Sequence, residues 1–96
     1  MKTHFNKDFL EESTETLRAI AHPIRIAIID LLFHNQKMTV TDIYNKLDIE
    51  QAIASHHLRI LKNKKVVNVE RAGKNSLYEL ERPEFYEIVK TLTKVI

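Results

Sequence analysis

The stretch that most constrains this chain runs over residues 41–63, TDIYNKLDIEQAIASHHLRILKN. Ile43 and Leu47 lie four apart, on one face of a helix, and Thr41 is a suitable N-cap for it. Asp48-Ile49-Glu50 then breaks the pattern, and three residues leave room only for a sharp turn. From Gln51 onward Ala54, Leu58 and Leu61 recur at spacings of four and three, a helical period. At about 3.6 residues per turn, Ala52, His56, Arg59 and Asn63 fall opposite Ala54 and Leu58. Gln51, Ser55 and Lys62 flank that outward stripe, and His57 lies more to the side, as a structural or inter-helix residue. Two short helices with such a turn between them make a helix-turn-helix pattern. An outward face of amide, hydroxyl, imidazole, guanidinium and ammonium groups suits the floor of a DNA major groove.

Beyond this helix pair the chain reads as a hairpin. Residues 66–71 and 76–81 alternate as two strands, with Val67, Val69 and Arg71 set against Asn68 and Glu70. Ala72-Gly73-Lys74-Asn75 turns between them and holds the only glycine in the chain. A hairpin with a basic tip behind a groove-reading helix is a wing, and Arg71, Lys74 and Asn75 would reach backbone phosphates or an adjacent minor groove. The alternative for these three residues is a solvated hairpin end.

Upstream, residues 1–6 show no periodicity and are expected to form a mobile arm. Residues 8–21 read as a helix with Phe9, Leu17 and Ile20 as its apolar positions. His22-Pro23 ends it and opens the next, because proline suits a first-turn position where its missing N–H costs nothing. The second helix, residues 23–33, is the most apolar and is the expected core, with Arg25 and Asp30 pointing outward. Residues 37–39 are a candidate short strand. Pro83 opens a last helix over residues 84–95. Phe85, Ile88, Val89, Leu92, Val95 and Ile96 form its apolar stripe, which needs something to cover it.

Composition bounds the function classes. Ninety-six residues make one expected domain with a small core. There is no cysteine, so disulfides, thiolate ligands and thiol switches are closed. No segment approaches a membrane span or a signal-peptide core, so a soluble, cytoplasmic protein is expected. Net charge is only +2, but six basic residues against one acidic residue between Gln51 and Asn75 give that region +5 and leave −3 elsewhere. This concentration is the asymmetry of a DNA-facing surface. No Gly-rich phosphate loop, nucleophile elbow or paired acid and base occurs, so no enzyme is expected.

The run Gln51, Ser55-His56-His57-Leu58 and Leu61, followed by a basic turn and Val66-Val67, resembles the ArsR/SmtB group of bacterial winged-helix repressors. So does Leu17-Arg18-Ala19-Ile20-Ala21-His22-Pro23-Ile24-Arg25-Ile26 upstream, and the similarity covers residues 11–82. Asp48 and Lys64-Lys65 depart from the glycine-containing turns of the group; Asp visits left-handed backbone more readily than most residues. The resemblance implies that the last helix packs against the first helix and against the same helix of a second subunit. It also raises metal sensing. Thr39 and Thr41 stand where members of the group carry thiolates, the last helix offers Glu84 and Glu87 without imidazole, and His4, His22 and His34 make no metal-ligand spacing.

The expectation is therefore a mainly α, winged helix-turn-helix chain with a β-hairpin wing: helix-turn-helix about 41–63, wing about 66–81, dimerisation helix about 83–96. Its expected function is that of a sequence-specific transcriptional regulator, a homodimeric repressor on a palindromic double-stranded operator. The DNA-binding candidates are Gln51, Ala52, Ser55, His56, Arg59, Lys62, Arg71, Lys74 and Asn75; the dimerisation candidates are Phe9, Phe85, Ile88, Val89, Leu92 and Ile96. No metal, cofactor or membrane partner is expected. The alternatives are a winged-helix protein-interaction module without DNA, or a metal-responsive repressor with an atypical His/Glu site.

Overall fold

The structure, a computed structural model, describes all residues from Met1 to Ile96. The chain runs α1 (Lys7–Ile20), α2 (Pro23–Asn35), β1 (Met38–Thr39), α3 (Val40–Leu47), α4 (Gln51–Asn63), β2 (Val67–Ala72), β3 (Asn75–Leu80) and α5 (Glu84–Thr91), and ends in a short 3₁₀ turn, Leu92–Lys94. No helix is long and apolar enough to cross a membrane.

The helices begin and end where local chemistry stops them. Asn6, expected to be part of a free arm, instead caps α1: its side-chain oxygen accepts from the Phe9 N–H at 2.8 Å. His22 caps α2 through Nδ1, which accepts from the Ile24 N–H at 3.1 Å, with Pro23 at the first helical position. The cap of α3 is Thr39 and not Thr41; Thr39 Oγ1 accepts from the Asp42 N–H at 3.1 Å. The helix thus starts directly at the end of β1, and Thr41 lies exposed in its first turn.

Ile28, Ile29 and Leu32 of α2 are fully buried, as the apolar run predicts, with Ile43, Leu58, Leu61, Val66 and Val67 packed in the same cluster. Each such side chain contributes about 1.5–3 kcal/mol by leaving water. Arg25 corrects the expectation of an outward arginine: it is half-buried and hydrogen-bonded to α1 and α4. On the far side of α2, Phe33 stacks on Tyr86 of α5, ring centroids 3.9 Å apart.

The sheet has the order β1-β3-β2, antiparallel throughout. Ala72 pairs with Asn75, so the hairpin turn is shorter than the four residues expected, with Gly73 and Lys74 alone in it. Gly73 takes φ +64°, which the first position of a two-residue II′ turn requires.

The last helix also departs from expectation. Regular α structure stops at Thr91 rather than near Val95, and a 3₁₀ turn follows. Here Thr91 and Thr93 hydroxyls donate back to the carbonyls of Glu87 and Lys90, a competing bond that weakens helix continuation. The apolar stripe is split. Val89 is buried in the chain's own core and Phe85 is half-buried against it. Ile88, Leu92, Val95 and Ile96 remain exposed.

Candidate nucleic-acid interface

The turn between α3 and α4 fixes how α4 is presented. Asp48 takes left-handed backbone (φ 54°, ψ 50°). The Ile49 N–H reaches back to the Tyr44 carbonyl at 3.1 Å and the Asp48 N–H to that of Asn45 at 3.2 Å, the paired bonds of a Schellman ending. This closes α3 within a residue and lets α4 start at Gln51. Ala54, Leu58 and Leu61 anchor α4 by its buried face.

Opposite that anchor the expected stripe is exposed: Gln51, Ala52, His56, Arg59, Lys62 and Asn63 face water, and Ser55 is half-covered. The helix is about 20 Å long, and its outward surface carries donors and acceptors along its whole length. Arg71, Lys74 and Asn75 are all exposed at the hairpin tip. Arg59, Lys62, Arg71 and Lys74 take part in no ion pair within the chain. By contrast, Lys64 is held by Glu15 of α1 at 3.4 Å and Lys37 by Glu70 of β2 at 3.0 Å. The Glu70 contact ties the wing to the bend between α2 and β1, and it raises the Lys37 pKa by hydrogen bond and by charge.

Two residues escape sequence reasoning. Ile53 is exposed on α4, three residues before His56; its place outside the inward set of the helical wheel is the available signal. Arg25 ties α2 to α4 across 32 residues of sequence, and only its presence in an otherwise apolar helix hints at that.

The second group of candidates lies away from this face. Phe9, Leu17 and Ile88, with Glu12, Ser13 and Thr16, line a groove of about 390 Å³ between α1 and α5. Phe9 (48%), Ile88 (43%), Leu92 (44%) and Ile96 (99%) are open to solvent, an unusual exposure for large apolar side chains in so small a chain.

No three His, Asp or Glu side chains converge at metal-binding range. Thr39 is engaged as a helix cap, His22 Nδ1 caps α2, and His34 Nδ1 lies 2.9 Å from the Asp30 carbonyl. Within one copy of the chain, these side chains are not gathered as a tetrahedral zinc-type site requires.

A three-stranded sheet with a basic two-residue tip, set behind a helix-turn-helix whose second helix is polar outside and anchored inside, defines a winged helix-turn-helix protein. Comparison with known proteins agrees. Residues 22–69 match the family described as "Bacterial regulatory protein, arsR family". The chain is 39% identical over 83 residues to the HTH-type transcriptional repressor SmtB of Mycobacterium tuberculosis, a match covering 86% of this chain and 61% of that protein. It is 31% identical over 86 residues to the transcriptional repressor PagR of Bacillus anthracis, covering 90% of this chain and 86% of PagR. The PagR crystal structure superposes with a TM-score of 0.82 over 91% of this chain and 99% of that one. The homodimeric winged helix-turn-helix DNA-binding domain of Mb0332 from Mycobacterium bovis has a TM-score of 0.82 at 21% identity, covering 97% and 88% of the two chains, a likeness of fold. This chain belongs to the arsR family of bacterial regulatory proteins.

Proposed function

We propose that the chain is a sequence-specific, homodimeric DNA-binding repressor that acts in the cytoplasm by occupying an operator, by binding rather than by catalysis. The observation that carries this reading is the outward face of α4, whose Arg59 and Lys62 are free of ion pairs while Ala54, Leu58 and Leu61 hold the helix down. His56 and Arg59 reach base edges, where an arginine can donate two bonds to guanine. Gln51, Ala52 and Ser55 lie at the helix start, nearest the bases and flanking phosphates, and Ile53 offers the kind of apolar contact a thymine methyl takes. Lys62 and the wing residues Arg71, Lys74 and Asn75 serve the phosphate backbone. The names of SmtB and PagR as repressors support the regulatory role.

The same reading makes residues 83–96 the dimerisation segment, with α1 as its partner. Phe9, Ile88, Leu92 and Ile96 supply the apolar surface that a second copy covers; Phe85 and Val89 back that surface from within the chain. A two-fold dimer places two α4 helices in successive major grooves, about 34–36 Å apart, on a site of matching two-fold symmetry. The experiment is selection from random-sequence duplexes followed by titration at several salt concentrations. Enrichment of a two-fold site, with affinity falling steeply as salt rises, is the expected result. Absence of both would leave a winged helix that binds protein instead.

A further inference from the structure

Arg25 spans a joint between three helices. Its Nε donates to Nδ1 of His57 in α4 at 3.2 Å, and its Nη1 donates to the carbonyls of Arg18 and Ala19 at 3.2 and 3.0 Å. Those carbonyls belong to the last turn of α1, where helix carbonyls lack partners and a cation is favoured. His57 is 6% exposed, the only polar side chain buried in the chain. An arginine Nε–H only donates, so Nδ1 of His57 carries no proton and the ring is neutral. The ring of His22 lies beside it, centroids 4.2 Å apart, and its Nδ1 is also an acceptor, for the Ile24 N–H. Each imidazole thus makes a bond that a proton on Nδ1 would remove.

We propose that Arg25 is a positioning residue for the DNA-reading helix: by holding neutral His57 it fixes α4 against the end of α1, and acid that protonates His57 opens this lock and weakens DNA binding. The inference rests on the DNA-binding reading above. Burial first, then repulsion from a charged His22, from Arg25 and from a charged His56, holds the His57 pKa below the usual imidazole value. No carboxylate acts on the ring to favour its charged form. Glu15 of α1 is paired with Arg18 and Lys64, Glu70 of β2 with Lys37, while Asp42, Lys46 and Asp48 at α3 and Arg71 of β2 lie at the exposed surface. Because the folded pKa is depressed, the lock is at full strength above the unfolded value of about 6.5. It is lost as pH falls below that value and through the folded pKa.

The test compares the full-length wild type, His57→Asn and Arg25→Lys, binding the duplex selected above and a scrambled duplex of equal length, at constant salt. Asparagine keeps an acceptor near the place of Nδ1 and does not titrate; lysine keeps the charge and loses the fork. Between pH about 7.5 and about 5.5 the wild type should lose about tenfold in affinity for the selected duplex, about 1.4 kcal/mol, and His57→Asn less than about threefold. Any pH effect arising elsewhere in the chain acts on both proteins and drops out of their ratio. Arg25→Lys should melt cooperatively, bind about tenfold more weakly at pH about 7.5, and show a shallower pH profile than the wild type. Equal profiles for wild type and His57→Asn would overturn the lock. If His57→Asn does not fold, wild-type affinity or a wild-type profile in Arg25→Lys would overturn it equally. A wild type that binds neither duplex at pH about 7.5 would instead bring down the DNA-binding reading, and the lock with it.

Discussion

Asp48 and Lys65 occupy the same position in two successive helix endings. Each is a non-glycine residue in left-handed backbone, at φ 54° and 59°. Each is succeeded by an N–H bonded back five residues, Ile49 to Tyr44 at 3.1 Å and Val66 to Leu61 at 2.9 Å. The pair sets both ends of α4: Asp48 decides where it begins and Lys65 how the chain leaves it for the wing.

The two residues tolerate that backbone unequally. A short polar side chain such as aspartate eases left-handed geometry, whereas a long one bears a cost of about 1–2 kcal/mol. Glycine at residue 65 removes this cost but frees the unfolded chain by about 0.4–1 kcal/mol. Lys65→Gly should therefore stabilise the fold by about 0.5–1 kcal/mol and raise Tm by about 2–8 °C, with a smaller gain for Asp48→Gly. Thermal melts at fixed protein concentration check this; a lower Tm for Lys65→Gly would mean that the side chain makes a compensating contact.

The exposed faces of α4 and of the wing should fail differently. His56→Ala and Arg59→Ala remove candidate base contacts, and each should cost about 1–3 kcal/mol of binding to the selected site with little effect on a scrambled one. Lys74→Ala removes a candidate phosphate contact, so affinity should fall alike for all sequences and the salt slope should flatten by about one unit. Titrations of both duplexes at several salt concentrations separate the two. Wild-type site affinity in both α4 variants would mean that another surface reads the DNA.

How much of this is legible in sequence depends on distance along the chain. Ala54, Leu58 and Leu61 announce the buried face of α4 because helical periodicity is local, and Gly73 announces the hairpin because a II′ turn demands it. The α3 cap lies two residues from its expected place, since Thr39 and Thr41 are equally good caps and only the pairing of Thr39 with Leu77 in the sheet decides between them. Phe85 and Val89 fall into the outward stripe on sequence because periodicity gives one apolar face and cannot divide it between the chain's own core and a partner. Arg25 is the least legible residue. Its bond to His57 joins residues 32 apart; the sideways place of His57 on the helical wheel marks an inter-helix residue, but no local pattern names Arg25 as its partner.

The remaining open stripe makes a sharp test of assembly. Leu92 is 44% exposed at the end of α5, with Ile88 one turn before it and Ile96 beyond. Leu92→Glu would put a carboxylate into the surface proposed to be covered by a second copy, where burying an unpaired charge is strongly unfavourable. Sedimentation should find the wild type as a dimer at micromolar concentration and the variant as a monomer, with operator affinity reduced in parallel. A monomeric wild type would remove the dimer and the two-fold site with it.

Control of DNA release by a transition metal is the regulation that the family resemblance suggests, and the side chains argue against it. A zinc-type site gathers about four nitrogen, sulfur or oxygen ligands at bonding distance. Here Thr39 is engaged with the Asp42 N–H, His22 with the Ile24 N–H, and His34 lies 3.2 Å from an Asp30 carboxylate oxygen. Glu84 lies 3.7 Å from Arg82, and α5 has no imidazole to join it. Thiol oxidation has no substrate, since Met1 and Met38 are the only sulfur-bearing residues, and Met38 is buried at 3%. Operator affinity of the untagged protein should therefore stay within about twofold, well under 1 kcal/mol, on adding micromolar zinc, nickel or cobalt, a chelator, or mild peroxide. A tenfold metal-dependent loss of affinity that disappears on changing Glu84, Glu87, His4, His22 or His34 would locate a site assembled between two copies of the chain.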